Sequence, residues 1–132
     1  MSRSKLMFEF EINTPASLLY SYLTVAKSMK QWFADEVIEG KDGTINFKWE
    51  NEDHIAKVAQ SKVNQFVKYV FLINNIEEDK NDPAFIEFKI EVNELTQTSF
   101  VKITDCYMEE SEQDATELWK NLITDLKAVL GA

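Results

Sequence analysis

The C-terminal part of the chain has the period of one long helix, which is the only element large enough to cover a whole sheet. Its start can be capped by Ser111 or Asp114, and Gly131 is a typical C-terminal stop. About 20 helical residues span about 30 Å. The apolar residues recur at three- and four-residue steps, so they form one stripe that must be buried against other elements. This stripe consists of Ala115, Leu118, Trp119, Leu122, Ile123, Leu126, Val129 and Leu130.

The residues before this helix alternate in polarity, which predicts strands. Residues 6–12 alternate strictly, with Glu9 and Glu11 on the polar side. Pro15 follows Asn13-Thr14 and predicts the start of a short helix, and a second short helical piece is predicted at about residues 26–34. Further strands are predicted at residues 37–38, 43–50, 54–63, 66–73, 84–93 and 98–108.

Short connections between these strands favour antiparallel pairing, and each strand has one apolar face. The sequence therefore predicts an α+β fold. We expect a curved, mostly antiparallel sheet of about six or seven strands, two short helices after the first strand, and the long C-terminal helix packed across the sheet.

Length and charge exclude several classes of protein. With 132 residues the chain has the length of a single domain, covering residues 1–132. It is 45% hydrophobic and 12% aromatic, which is not typical of a disordered chain. There are 14 Lys and Arg against 23 Asp and Glu, which gives a net charge of −9. We therefore expect no binding to nucleic acid and none to anionic membranes.

The sequence also bears on location. No apolar run of about 18 residues is present, so we expect no membrane insertion. Glu9 and Glu11 interrupt the apolar N-terminal stretch, which is therefore not a signal peptide. Cys106 is the only cysteine and cannot form an intramolecular disulfide, which favours a reducing compartment. We expect a cytoplasmic protein, and a monomer.

Few residues are typical of a catalytic or metal centre. His54 is the only histidine, and beside Asp53 it has the form of a general base oriented by a carboxylate. No nucleophile has a sequence context that pairs with it, so a solvated position at a strand end is the favoured interpretation. Cys106 is interpreted as a small apolar residue. The acidic run at residues 77–82 lacks the glycine and ligand spacing of a calcium loop. The sequence predicts no catalytic residue, no metal and no cofactor.

Aromatic residues are more informative, because they fall at inward-facing positions of the predicted elements. Each either fills the core or lines a pocket, and their bulk favours a modest cavity over a large lipid tunnel. Trp119 and Leu122 share one face of the last helix and are predicted to border this cavity. The predicted ligand-binding residues are Trp32 and Phe33 as a lid or entrance, Trp119 and Leu122 with Phe47, Trp49 and Phe88 opposite, Phe71 on the same inward face, and Tyr69, Asp105 and Tyr107 as polar anchors.

Several segments, taken in order, resemble one known family. They are an opening strand at residues 8–12, a Pro-started helix at 15–23, the tryptophan-containing run 30–33, an acidic strand at 35–38, a Gly-bounded turn at 40–43, a threonine-led last strand at 98–105 and the closing helix with Leu118-Trp119 and Leu122. This order resembles the helix-grip fold of the START-like (SRPBCC) superfamily, nearest to the branch related to the C-terminal domain of the heat-shock chaperone ATPase activator. The chain departs from that branch in having only three glycines.

Members of this superfamily bind apolar or amphipathic molecules between the sheet and the long helix, so the resemblance implies such a ligand. We therefore expect a START-like binding protein for a small apolar or amphipathic molecule. Two alternatives stay open. A cyclase- or hydrolase-type enzyme would use Asp105, Tyr107 or His54, facing a cavity with a shifted pKa. A chaperone-related module with a protein partner would have an exposed apolar patch.

Overall fold

Strands make up most of the computed structural model, which describes residues 5–73, 76–77, 84–107 and 111–132. The elements, in chain order, are β1 (Leu6–Ile12), α1 (Ala16–Thr24), α2 (Ala26–Met29), β2 (Glu36–Glu39), β3 (Thr44–Trp49), β4 (Glu52–Lys62), β5 (Phe66–Ile73), β6 (Ile76–Glu77), β7 (Phe85–Asn93), β8 (Thr98–Cys106) and α3 (Glu112–Leu130). Most of the acidic run at residues 77–82 lies outside the described residues.

Seven strands form one curved sheet in the order β1-β8-β7-β5-β4-β3-β2, and the two-residue β6 pairs with β5. Every pairing between described strands is antiparallel. The predicted α+β helix-grip fold is therefore confirmed. Among the strands of the described residues, only β6 was not predicted, because two residues are too few to produce an alternating pattern.

Alternation along each strand puts one apolar face against the helices. On β7, Ile86, Phe88 and Ile90 are buried, and on β8, Val101 and Ile103 lie opposite Ile90 and Phe88. A β-bulge between Val58 and Gln60 interrupts this alternation in β4. Because a bulge adds one residue to a strand, the residues after it face the other way from what a regular period of two predicts.

The short helices close one side of the apolar face. α1 starts after Pro15, as predicted, and buries Leu19 and Leu23. The Tyr69 hydroxyl of β5 donates to the Leu23 carbonyl at 2.6 Å and so ties the end of α1 to the sheet. The second helix was predicted to reach residue 34 but ends at Met29. Residues 30–33 continue as turns that bring Trp32 and Phe33 inward, where both are buried.

α3 has the boundaries that the sequence predicted, but the predicted buried stripe is incomplete, because Val129 is 37% exposed. The Ser111 hydroxyl caps its start by accepting from the Asp114 amide, and Gly131 ends it at a φ of 70°. Its fully buried residues are Ala115, Trp119, Ile123 and Leu126. Leu118 and Leu122 are half-buried beside this stripe. One edge of α3 is therefore partly open to solvent.

Candidate functional site

An open groove of 400 Å³ runs between the partly open edge of α3 and the segment that follows α2. We call this segment, residues 30–35, the turn segment, and we call the groove the α3 groove. Apolar side chains from α3, β3 and the turn segment line the groove together with charged and amide side chains. The lining residues are Lys30, Gln31, Trp32, Phe33, Ala34, Asp35, Trp49, Leu118, Leu122 and Asp125.

Four hydrogen bonds hold the turn segment against its neighbours. The Trp32 indole donates to the Tyr22 carbonyl at 2.8 Å, and the Trp49 indole donates to the Phe33 carbonyl at 2.7 Å. The Asp35 amide donates to the Lys48 carbonyl at 2.9 Å. The Asp35 carboxylate accepts from the amide of Glu50, a residue held at a φ of 52° in the β3–β4 turn. This wall of the groove is therefore fixed before any ligand binds.

Phe33 forms the floor of the groove and fills the centre of the fold. It is 1% exposed, and its ring centroid lies 5.0 Å from that of Phe47, 5.9 Å from Phe88 and 6.1 Å from Trp119. Phe88 and Trp119 also contact each other directly, at 5.9 Å. Trp119 and Phe88, which were predicted to lie on opposite walls of a cavity, are therefore in direct contact. Open space lies outside Phe33, where the α3 groove is.

The predicted ligand-binding residues separate into three groups in the structure. Trp32, Phe33, Trp49 and Leu122 line the α3 groove together. Asp105, on β8, and Tyr107, directly after β8, do not line the groove. The remaining residues are buried in the aromatic core behind Phe33: Phe47, Tyr69, Phe71, Phe88 and Trp119.

The buried carboxylate of Asp105 accepts hydrogen bonds, one of which connects β8 to α3. It is 2% exposed. Its Oδ2 accepts from the Trp119 indole at 2.8 Å, and its Oδ1 accepts from the Tyr107 amide at 3.0 Å. Because a buried polar group needs hydrogen-bond partners, this arrangement fixes the orientation of Trp119, on α3, relative to β8.

His54 pairs with Tyr107 and not with Asp53. The Nδ1 of His54 and the hydroxyl of Tyr107 form a short hydrogen bond, and the Trp49 ring packs edge-on against the imidazole. Burial lowers the pKa of His54, although the carboxylates of Glu52 and Asp53 partly oppose this. The imidazole is therefore neutral at pH 7. Sequence reasoning missed this pair because its members are 53 residues apart.

Asp53 is engaged on the other side of the strand. Its carboxylate accepts from the Asn46 amide at 3.0 Å and lies 3.5 Å from the Lys48 ammonium. These two partners hold the pKa of Asp53 below its usual value. This geometry therefore gives no support to Asp53 as the carboxylate that orients His54, which was the less favoured interpretation of the sequence.

Three further observations concern other kinds of site. Cys106 is buried, at 8% exposure. Within the described ranges, no three His, Cys, Asp or Glu side chains come close enough together to hold a metal ion. No helix in this part of the chain combines the length and the apolar content needed to cross a membrane.

Several groove residues were not among the predicted set. Leu118 belongs to the predicted helix stripe and lies one turn before Leu122, so helical spacing alone indicated it. Lys30, Asp35 and Asp125 carry no pattern of their own. They come together only because the turn segment packs against α3.

Comparison with known proteins gives a consistent result for the fold. The model of the START-like superfamily domain matches residues 1–132. The Aha1 dimer from Colwellia psychrerythraea has a similar structure, with a TM-score of 0.75 at 20% identity over 96% of each chain. A Mesorhizobium loti protein has a TM-score of 0.75 at 12% identity over 97% of each chain. No curated protein matches the chain.

Proposed function

Because the chain belongs to the START-like superfamily, we propose that it is a binding protein that holds a small apolar or amphipathic molecule in the α3 groove. One observation carries this proposal. Four side chains that sequence reasoning selected for ligand binding, Trp32, Phe33, Trp49 and Leu122, line the same groove beside α3.

The size and the lining of the groove suit such a ligand. Its 400 Å³ falls within the roughly 300–1,000 Å³ range of small-molecule sites. Its apolar lining residues, such as Trp49, Leu118 and Leu122, favour the apolar part of a ligand, because contact with a ligand removes apolar surface from water. Lys30, Asp35 and Asp125 lie among its polar lining residues and favour a polar group that remains near solvent.

The wall of the groove supports binding with little ordering cost. The turn segment already makes its hydrogen bonds through Trp32, Trp49 and Asp35. A preorganised site loses less conformational entropy when a ligand binds. The proposed function assigns no catalytic residue, because His54, Asp105 and Tyr107 lie outside the groove lining. We take the protein to be a cytoplasmic monomer in this role.

A neutral apolar dye tests this function. N-phenyl-1-naphthylamine is uncharged, so the net charge of −9 does not affect its approach. Its emission should rise on binding to the wild type. Leu122→Trp fills the groove and should abolish the rise, while costing about 1–3 kcal/mol of stability.

Val129→Trp is the matched control for this substitution. Val129 also lies on α3 but is 37% exposed and outside the groove lining. This variant should bind the dye as the wild type does. An unchanged dye response in Leu122→Trp, or no response in the wild type, would contradict binding in the α3 groove.

A chaperone-related interaction module is the second candidate, and exposed apolar residues favour it. Leu95 is 97% exposed and Val63 is 70% exposed. Both lie in hairpin turns at the same end of the sheet, since β5 pairs with β4 on one side and β7 on the other. Purified heat-shock chaperone supplies the test. Stimulation of its ATPase by the wild type, lost in a Val63→Ser/Leu95→Ser variant, would support this module, and an unchanged ATPase rate would exclude it.

A further inference from the structure

A second groove, of 310 Å³, lies between α1, the turn joining β2 to β3, and the bulged part of β4. We call it the hairpin groove. It shares no lining residue with the α3 groove. Ile45, at its floor, is next to the start of β3, whereas Trp49, in the α3 groove, ends that strand. The two grooves therefore lie at opposite ends of β3.

The bulge in β4 shapes this groove. In a regular strand, Val58 would share its face with residue 60. Because of the bulge, Gln60 pairs with Lys68, and Ser61 pairs with Val67. Val58 and Ser61 therefore both line the groove. Bulges commonly re-aim a side chain in this way beside a functional site.

Two of the three glycines form the opposite rim. Gly43 has a φ of 74°, a conformation that glycine adopts without strain. At Gly40, a Cβ would collide with the Thr44 hydroxyl oxygen. The Gly40 amide donates to the Thr44 carbonyl at 2.7 Å. Glycine at both positions keeps this turn tight and leaves its backbone open to the groove.

The charge of the lining selects the class of ligand. Among the described residues that line the hairpin groove, Glu39 is the only one with a charged side chain. Aliphatic floor residues such as Ile45 and Val67 are buried. Several other lining residues carry hydroxyl groups, including Ser61. A carboxylate beside an apolar floor complements a cation that carries a short apolar chain, and it repels an anion.

We propose that the hairpin groove is a binding site for a small amphipathic organic cation, of the alkylammonium class. The ammonium group pairs with the Glu39 carboxylate, and the hydrocarbon chain lies over Ile45 and Val67. This site is separate from the α3 groove and does not depend on the function proposed for it.

The three glycines allow a direct test with n-hexylammonium as the probe. In a sample labelled with ¹⁵N only at glycine, Gly40 and Gly43 report on the hairpin groove. Gly131, at the end of α3, is the internal control. We expect saturable shifts of the first two signals and none of the third. Hexanoate, which has the same chain length and the opposite charge, should leave all three unchanged.

Two variants locate the site. Glu39→Gln should raise the Kd for hexylammonium about threefold, within what an exposed ion pair contributes. Glu36→Gln removes the same charge from the same exposed strand but lies outside the groove lining, so its Kd should equal that of the wild type. Ser61→Phe, at an exposed position of β4, should block binding by filling the groove.

Three results would overturn the site. They are unmoved Gly40 and Gly43 signals at saturating probe, equal shifts with hexanoate, and equal effects of Glu36→Gln and Glu39→Gln. The last would mean that the cation responds only to overall negative charge. A second sample, labelled with ¹⁵N at tryptophan, shows the Trp32 and Trp49 indole signals of the α3 groove. Their response to N-phenyl-1-naphthylamine tests the proposed function separately from the hairpin groove.

Discussion

Removing the Phe33 ring should open the cavity that the sequence predicted between the sheet and α3. Phe33 is 1% exposed, and its ring lies within contact distance of five other aromatic rings. Truncation of a fully buried phenylalanine to alanine costs about 3–5 kcal/mol, from lost burial and from the space left behind. A domain of this kind has about 5–15 kcal/mol of stability, so Phe33→Ala should remain folded but be strongly destabilised.

Urea unfolding monitored by tryptophan fluorescence measures this loss. Phe33→Leu keeps most of the volume and should cost less than about 1.5 kcal/mol. Phe85→Ala is the control for the same chemical change at a half-buried ring, which lies under the Lys68 ammonium at 4.3 Å from its centroid. It should cost about 1–2 kcal/mol, because less apolar area leaves water on folding.

Benzene distinguishes an opened cavity from general loosening. Apolar cavities created in protein cores bind benzene, and a ligand that binds only the native state raises stability. Benzene should therefore raise the unfolding midpoint of Phe33→Ala more than that of the wild type. A loss under about 1 kcal/mol in Phe33→Ala, or a benzene effect no larger than on the wild type, would refute the central position of Phe33.

Three smaller changes test other parts of the structure. Trp119→Phe removes the indole that donates to the buried Asp105 carboxylate and should lower the free energy of unfolding in urea by about 1–3 kcal/mol. An unchanged urea midpoint would mean that this hydrogen bond contributes nothing to stability. The pKa of His54 is lowered in the folded state, so the unfolded chain binds a proton at a higher pH than the folded chain does. Stability therefore falls as the pH drops below about 6.5, the ordinary pKa of histidine. His54→Gln should lose less stability than the wild type between pH 8 and pH 5.5 in thermal melts, and equal losses would contradict the shift. Gly43→Ala forces a non-glycine residue to a φ of 74° and should cost about 1–2 kcal/mol, which a wild-type melting temperature would disprove.

Local patterns in the sequence were sufficient to predict the fold. The alternation in residues 6–12 and 84–93, and the three- and four-residue steps around Trp119, are set by strand and helix geometry alone. Pro15, Ser111 and Gly131 mark element ends because each supplies a specific backbone conformation or hydrogen bond. Such signals need no knowledge of tertiary contacts.

The candidate site was only partly predictable, because its geometry depends on contacts between distant segments. Phe33 was predicted as a lid or entrance, but its inward position depends on the Trp49 indole bond to its carbonyl. The pairing of His54 with Tyr107 and of Asp105 with Trp119 likewise joins residues on different elements. No local period carries this information.

The three tryptophan indole groups provide the most direct test of the central claim, that a small apolar or amphipathic molecule binds in the α3 groove. Each indole N–H is hydrogen-bonded to a different acceptor, so three separate NMR signals are expected. On titration with N-phenyl-1-naphthylamine, the Trp32 and Trp49 signals should shift saturably. The Trp119 signal, behind Phe33, should move least. Unmoved Trp32 and Trp49 signals at the solubility limit of the dye would contradict the claim.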